Sequence, residues 1–178
     1  MTSAAQAAVL PSSGSGLVWT LKRGLPILVL VFAGMLYLGA RFTLGVNGQV
    51  QKCLPPYSFF LVDRHDDRLE RGRTLAFWAG LRMAPWFPPD LMVVKRLVGL
   101  PGDRIVVSAE ATTVNGVVVG EGLDVAPTLA RPAGDFVREL VLGEDELWIM
   151  GDTRDSFDAR YWGPLPTHQV IGGAYGLW

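Results

Sequence analysis

The longest apolar run in the chain is Gly24–Ala40 (GLPILVLVFAGMLYLGA), which holds no charged residue and resumes as Phe42–Val46 after Arg41. Counted through Val46 it has 23 residues, about 34 Å as helix at ~1.5 Å per residue, enough to cross a bilayer. A helix of a soluble core would show a polar face, and this segment has none. It is longer than the roughly 7–15 apolar residues of a cleavable signal peptide, and Leu38-Gly39-Ala40 is a poor small-x-small cleavage site. Pro26 suits a first helical turn, and Arg41, near the far end, can snorkel to the interface. Residues 17–46 are therefore predicted to form a membrane anchor. Lys22-Arg23 precede it, which puts the N-terminus in the cytoplasm and everything after Val46 outside. Residues 1–16, rich in Ala, Ser and Gly, read as a disordered tail.

After Val46 the pattern changes to short apolar, β-branched runs separated by turn residues, with no helical period of any length. Strands are expected at Tyr57–Asp63, Thr74–Trp78, Val93–Val98, Ile105–Ser108, Thr112–Val114, Val117–Val119, Phe136–Leu142, Glu146–Met150 and Val170–Trp178. Asn115-Gly116 is a type I′ hairpin signal, and Gly172-Gly173 suggests a bulge in the last strand. Asp63–Arg73 (DRHDDRLERGR) reads as a solvated charged hairpin, and Gly120–Asp135 as a Gly/Pro-spaced excursion. In LRMAPWFPPDLM the prolines prevent regular structure, so Leu81, Met83, Trp86 and Phe87 lie on a loop. Two readings of that loop stay open: it dips into a membrane interface, or it packs on the domain's own core. The expected architecture is mainly β, one domain at 47–178 behind one transmembrane helix.

Composition narrows the function classes. The 178 residues leave room for one domain and little more. A net charge of −1 gives no basic footprint for nucleic acid. The single cysteine, Cys53, excludes an internal disulfide and any multi-cysteine metal site. His65 and His168 lie far apart in polar, turn-like contexts, so neither a metal nor a cofactor is expected.

The candidate chemistry starts from Val93–Arg104 (VVKRLVGLPGDR). On a strand Lys95 shares a face with Val93 and Leu97, while Arg96 points the other way toward water or a carboxylate. A lysine among hydrocarbon must snorkel out or lose its proton more easily, and one that loses its proton serves as a base near neutral pH. A solvated edge-strand lysine is the commoner role for that residue type.

Lys95–Asp103 (KRLVGLPGD) resembles the lysine box of the type I signal peptidases, membrane-bound serine–lysine proteases that remove leader peptides. Gly151–Gly163 (GDTRDSFDARYWG) resembles that family's second box, one residue shorter, and the two boxes stand in the right order about fifty-five residues apart. The resemblance covers about Gly48 to the C-terminus and implies the signal-peptidase β-fold. It puts Cys53 at the nucleophile position, with Pro56 three residues on, where the family usually carries serine. Cys53-Leu54-Pro55 also fits the conjugative-transfer (TraF-type) branch, which processes pilin precursors. A free thiol titrates near 8.5 and a lysine near 10.4, so a Cys53/Lys95 pair can rest as thiolate and ammonium, although burial opposes that. Ser58 is the alternative nucleophile, and a small buried hydrophobe is the ordinary role of a lone cysteine.

By the same resemblance Ser156 would hold the lysine, Asp158 and Arg160 would pair to fix the loop, and Asp152 and Arg154 would support it. The Cys53 backbone N–H and the Gln51 side-chain amide would serve the oxyanion. An Asp-rich surface turn and a calcium loop are the other readings of the second box; against the calcium loop, Arg154 and Arg160 would repel the ion and no ligand spacing fits. The implied protein is an endopeptidase of the bacterial inner membrane, single-pass, with its catalytic domain on the outer face. It would cut exported precursors, a pilin or another conjugation component, after small residues, with the lipid bilayer as a further partner. Two alternatives remain: a catalytically silent relative scaffolding the transfer machinery, and a LexA-like self-cleaving regulator, which the membrane span disfavours.

Overall fold

The computed structural model describes residues 14–48 and 52–177, with side chains from residue 24 onward. The chain divides into two compact units, Met1–Ala40 and Arg41–Trp178. The first holds most of helix α1, Gly14–Arg41. Its window Gly24–Arg41 has a mean hydropathy of 1.8, and it is the one helix among the described residues long and apolar enough to cross a membrane. Its large apolar side chains in that window are exposed, from Val31 at 50% to Leu30 at 72%.

The helix departs from expectation at both ends. It begins at Gly14, inside the stretch predicted as a disordered tail. It stops at Arg41, because Phe42–Val46 is strand β1 and not the end of the span. β1 pairs antiparallel with β2 (Phe59–Asp63), from Phe42 opposite Asp63 to Val46 opposite Phe59. An aromatic, β-branched FTLGV run suits a pleated surface better than a helix. Arg41 makes the junction: its Nε and Nη2 donate to the Asp63 carboxylate at 2.9 and 2.6 Å. Arg41 is thus engaged in an ion pair with β2.

Seven strands make the larger sheet. Besides β1 and β2 they are β3 (Thr74–Trp78), β4 (Met92–Gly99), β9 (Glu146–Met150), β10 (Leu165–Pro166) and β11 (Val170–Gly176), in the order β1-β2-β11-β3-β4-β9-β10. The smaller sheet holds β5 (Arg104–Val107), β6 (Ala111–Val114), β7 (Val117–Glu121) and β8 (Arg138–Val141), in the order β7-β6-β5-β8. A four-residue helix, α2, spans Ala159–Trp162. Asn115 and Gly116, with φ of 51° and 82°, make the expected type I′ turn between β6 and β7. The expected bulge in β11 is present as a register shift between Val170 and Gly172.

Alternation along the central strands divides the core. Leu147 and Ile149 of β9 join Leu75, Phe77, Met83, Leu97 and Leu165 on one face of the large sheet. Trp148 and Met150, the residues between and after them, join Ile105, Val107, Phe136 and Tyr161 under the small sheet. Ala76, between Leu75 and Phe77, faces Leu54, Phe60, Val62 and Ala174 instead. One strand therefore ties two cores together, each buried Leu, Phe or Met contributing roughly 1.5–3 kcal/mol by removal from water.

Three further expectations are corrected. Asp63–Arg73 is neither a hairpin nor fully solvated. β11 lies between β2 and β3, with Gly173 opposite both Asp63 and Leu75, and Asp66 is only 7% exposed. Arg73, Arg68 and the Tyr175 hydroxyl all donate to Asp66, which is what permits a carboxylate to be buried. β2 begins at Phe59, so Ser58 sits in a bend before the strand. β8 begins at Arg138, because Ala133–Phe136 forms a 3-10 turn that sends Phe136 into the core at 1% exposure.

Candidate active site

β4 is hydrogen-bonded on both sides only beyond Lys95. Met92–Arg96 pair with β3, whereas β9 takes up Arg96, Leu97 and Gly99. Lys95 consequently stands where the sheet opens, 4% exposed. Its Nζ donates to Ser156 Oγ at 2.7 Å, and Ser156 itself is fully buried. The sequence expectation that Lys95 lies among hydrocarbon is met by Met83, Phe87, Val93 and Phe157, which with it line one cavity of about 730 Å³. Cys53 lines the same cavity, as do Leu44–Gly48 of β1 and its exit, Leu54, Phe60, Leu91, Met92, Val94 and Asp155. Ser58 is not among the lining residues; its carbonyl accepts from Asn47 N at 2.8 Å. Gln51 lies outside the described residues.

The rest of the lysine box is a turn. Leu100 N donates to Asp103 Oδ2 at 2.6 Å, Asn115 Nδ2 to Asp103 Oδ1 at 2.7 Å, and Arg71 pairs with the same carboxylate at 2.8 Å. Gly102, with φ of 84°, takes the left-handed position that a side chain would strain. These residues end β4 and start β5, which leaves Lys95 as the box's one contribution to the cavity.

The second box folds around a buried ion pair. Arg160, 1% exposed, sends Nε and Nη2 to the Asp158 carboxylate at 2.9 and 2.8 Å. Its other donations go to the carbonyls of Glu121, Gly122, Thr153 and Ser156. Burial works against the Arg160 charge, but Asp158 outweighs it and holds the guanidinium above its ordinary pKa. Asp158 also accepts from Gly151 N at 3.0 Å and caps α2 by accepting from Arg160 N. The pair thus fixes both flanks of Ser156.

Gly151 and Asp152 join this loop to the backbone of Cys53. A Cβ on Gly151 would overlap Ser156 Oγ and come within 3.0 Å of the Cys53 carbonyl oxygen. Asp152 N donates to that carbonyl at 2.7 Å. The Asp152 carboxylate clasps Arg96, which donates from Nε and Nη2 at 2.6 Å each, and this bond holds Arg96 above its ordinary pKa. One residue therefore grips the Cys53 segment with its backbone and the Lys95 strand with its side chain. Arg154 turns to Asp124 at 3.1 Å and Glu121 at 3.7 Å. Lys52, beside Cys53, donates to the Pro56 carbonyl at 2.9 Å.

Cys53, Lys95, Ser156, Asp158, Arg160 and Asp152 are all brought into one connected arrangement. Sequence reasoning missed the cavity wall. Phe157 stacks on Phe87 with ring centres 5.8 Å apart, and Met83, Met92 and Phe60 add to the apolar lining. Only the run of apolar residues in LRMAPWFPPDLM signalled any part of it. Chemically, the site offers a thiol and an amine at one apolar-walled cavity, the amine aimed by a hydroxyl.

Residues 18–178 match the family described as "Signal peptidase, peptidase S26". The probable signal peptidase I-2 of Synechocystis sp. is 35% identical over 83 residues, 46% of this chain and 36% of that protein. The signal peptidase I of Bacillus caldolyticus is 35% identical over 94 residues, 44% of this chain and 49% of that protein. The chain thus spans about half or less of the length of these relatives. A crystallised signal peptidase I from Enterococcus faecalis V583 overlays with a TM-score of 0.40 at 22% identity, covering 60% of this chain and 96% of that one. With the family match taking in nearly the whole sequence, the chain belongs to the signal peptidase, peptidase S26, family.

Proposed function

We propose that the protein is a membrane-anchored endopeptidase that cleaves exported precursors by acyl transfer through Cys53 and Lys95. The observation that carries this is the 2.7 Å bond from buried Lys95 Nζ to Ser156 Oγ, in a cavity that Cys53 also lines. Four rotatable bonds would otherwise blur the aim of a lysine, and the serine removes that freedom.

In the proposed reaction Cys53 Sγ attacks the scissile carbonyl carbon, and its proton passes to Lys95 Nζ. The tetrahedral oxyanion takes hydrogen bonds from the Cys53 N–H and the Gln51 amide. Collapse breaks the C–N bond, Lys95 returns the proton to the leaving amine, and a thioester remains. Water, deprotonated by Lys95, then attacks the thioester and releases the acid and the thiol. The outer edge of β1, and Met92–Val94 of β4 on the side away from β3, both border the cavity without a strand partner among the described residues. An extended substrate can add there by backbone hydrogen bonding. Small residues before the cut, and a pilin or another conjugation-apparatus precursor as substrate, complete the reading. Lys22-Arg23 ahead of the span put the β unit on the outer face of the inner membrane. Leu81 and Trp86, 80% and 51% exposed, supply apolar side chains for the lipid surface.

The test is cleavage of a co-expressed candidate precursor by the wild type, Cys53→Ala, Cys53→Ser and Lys95→Ala. Cleavage by the wild type and by neither alanine variant is the expected result. Persisting activity in Cys53→Ala sinks the thiol as nucleophile and turns attention to Ser58. A wild type that cuts no precursor favours the scaffold role that a thiol in place of the family's serine leaves open.

A further inference from the structure

Among the described residues only two charged side chains line the cavity, Lys95 and Asp155. Lys95 is buried and turned to Ser156, so the charge met by an approaching chain is the Asp155 carboxylate, which is exposed. The neighbouring charges are already matched. Asp152 is clasped by Arg96, Asp158 by Arg160, and Arg154 is drawn off to Asp124 and Glu121. Lys52 points its ammonium at the Pro56 carbonyl and is not a lining residue. Asp155 has no ion-pair or hydrogen-bond partner among the described residues. Asp155 is the one exposed charge among the described lining residues, and an exposed charge at a cleft sets the sign of the field met by an approaching chain.

We infer that Asp155 is a specificity-determining residue that favours substrates carrying a lysine or arginine side chain close to the scissile bond. The inference rests on the peptidase reading. The residue accommodated inside the cavity meets Leu54, Phe60, Val94 and Met92 and is apolar or small, so the cationic side chain belongs to a flanking position at the rim. Solvent screens an exposed pair, which limits the preference to about two- to fivefold in kcat/KM, and strong salt erases it. An acidic flanking residue is disfavoured by a similar factor, since like charges repel across the same distance.

The experiment uses the full chain in detergent micelles and quenched peptides that differ only in Lys, Ala or Asp, placed in turn at two positions on each side of the cut. The readout is the ratio of kcat/KM for the Lys peptide over the Asp peptide, in low and in ~1 M salt. The expected result is a ratio above one for the wild type at one or two adjacent positions, falling toward one in high salt. Asp155→Asn brings the ratio to about one and Asp155→Lys inverts it, while Asp67→Asn, an exposed carboxylate that does not line the cavity, keeps the wild-type ratio. A wild-type ratio of one at every position, or one that Asp155→Asn preserves, overturns the inference while cleavage itself upholds the peptidase reading. If the wild type cuts none of the peptides, the peptidase reading falls and this inference falls with it.

Discussion

Lys95 and Ser156 stand 61 residues apart in sequence, yet the lysine Nζ lies 2.7 Å from the serine hydroxyl in a buried setting. The hydroxyl is the one side-chain hydrogen bond holding the amine among the described residues. Ser156→Ala is expected to lower kcat by about 10- to 100-fold with little change in KM, because the base loses its aim while the cavity wall stays. Steady-state kinetics on a cleaved precursor checks this, with circular dichroism confirming the fold. An equal rise in KM would mean that Ser156 shapes the cavity instead.

Gly151→Ala tests the contact between the second box and the Cys53 segment. The added methyl overlaps Ser156 Oγ and crowds the Cys53 carbonyl, in a loop whose flanks are pinned by Asp158 and cannot retreat. Overpacking of this kind costs typically 1–3 kcal/mol. The expected outcome is a lower thermal midpoint together with near-complete loss of cleavage.

Removing one partner of the Asp158–Arg160 pair leaves a charge buried at 0–1% exposure. Asp158→Ala is expected to destabilise by roughly 3–5 kcal/mol, lowering the thermal midpoint by about 2–4 °C per kcal/mol for a chain of this size. Asp158→Leu combined with Arg160→Met should recover part of that stability, since no charge is then stranded, without recovering activity. A double variant no more stable than Asp158→Ala would show that Arg160's carbonyl contacts carry the loop.

Acid stability should report Asp66. Arg73 first, then Arg68, donate to its carboxylate and hold it well below the usual carboxylate range. A depressed folded pKa means stability that is fully present above the unfolded value, near 3.9, and that is lost as pH falls from there toward the folded one. The wild type should therefore lose stability steeply below about pH 4. Asp66→Asn should be less stable at neutral pH and show a shallower acid slope, measured by denaturant unfolding across pH 2–7. Parallel slopes would assign the acid transition to other carboxylates.

Much of the β unit was legible in the residues. Thr74–Trp78 and Glu146–Met150 have the boundaries that their β-branched and aromatic composition indicates, and Asn115-Gly116 forms its turn because both residues tolerate positive φ. The two boxes, through the resemblance, named Lys95, Ser156, Asp158 and Arg160 as a group; within the second box short-range chemistry supports this, since the Asp158 cap and the Asp158–Arg160 ion pair lie within a few residues of Ser156. What alternation and propensity left undecided is everything that depends on which strand lies beside which. Phe42–Val46 is as apolar as the helix before it, and only pairing with Phe59–Asp63 makes it strand. Asp63–Arg73 looks solvated until β11 enters between β2 and β3 and brings Tyr175 to Asp66. The cavity wall draws on β1, β4, the loop after β3 and the second box, and Asp155 stands out only because Asp152 and Arg154 beside it are paired with Arg96 and Asp124 from distant segments. Composition and local pattern determine which residues can be buried, extended or turned; the long-range backbone pairing decides which of them meet.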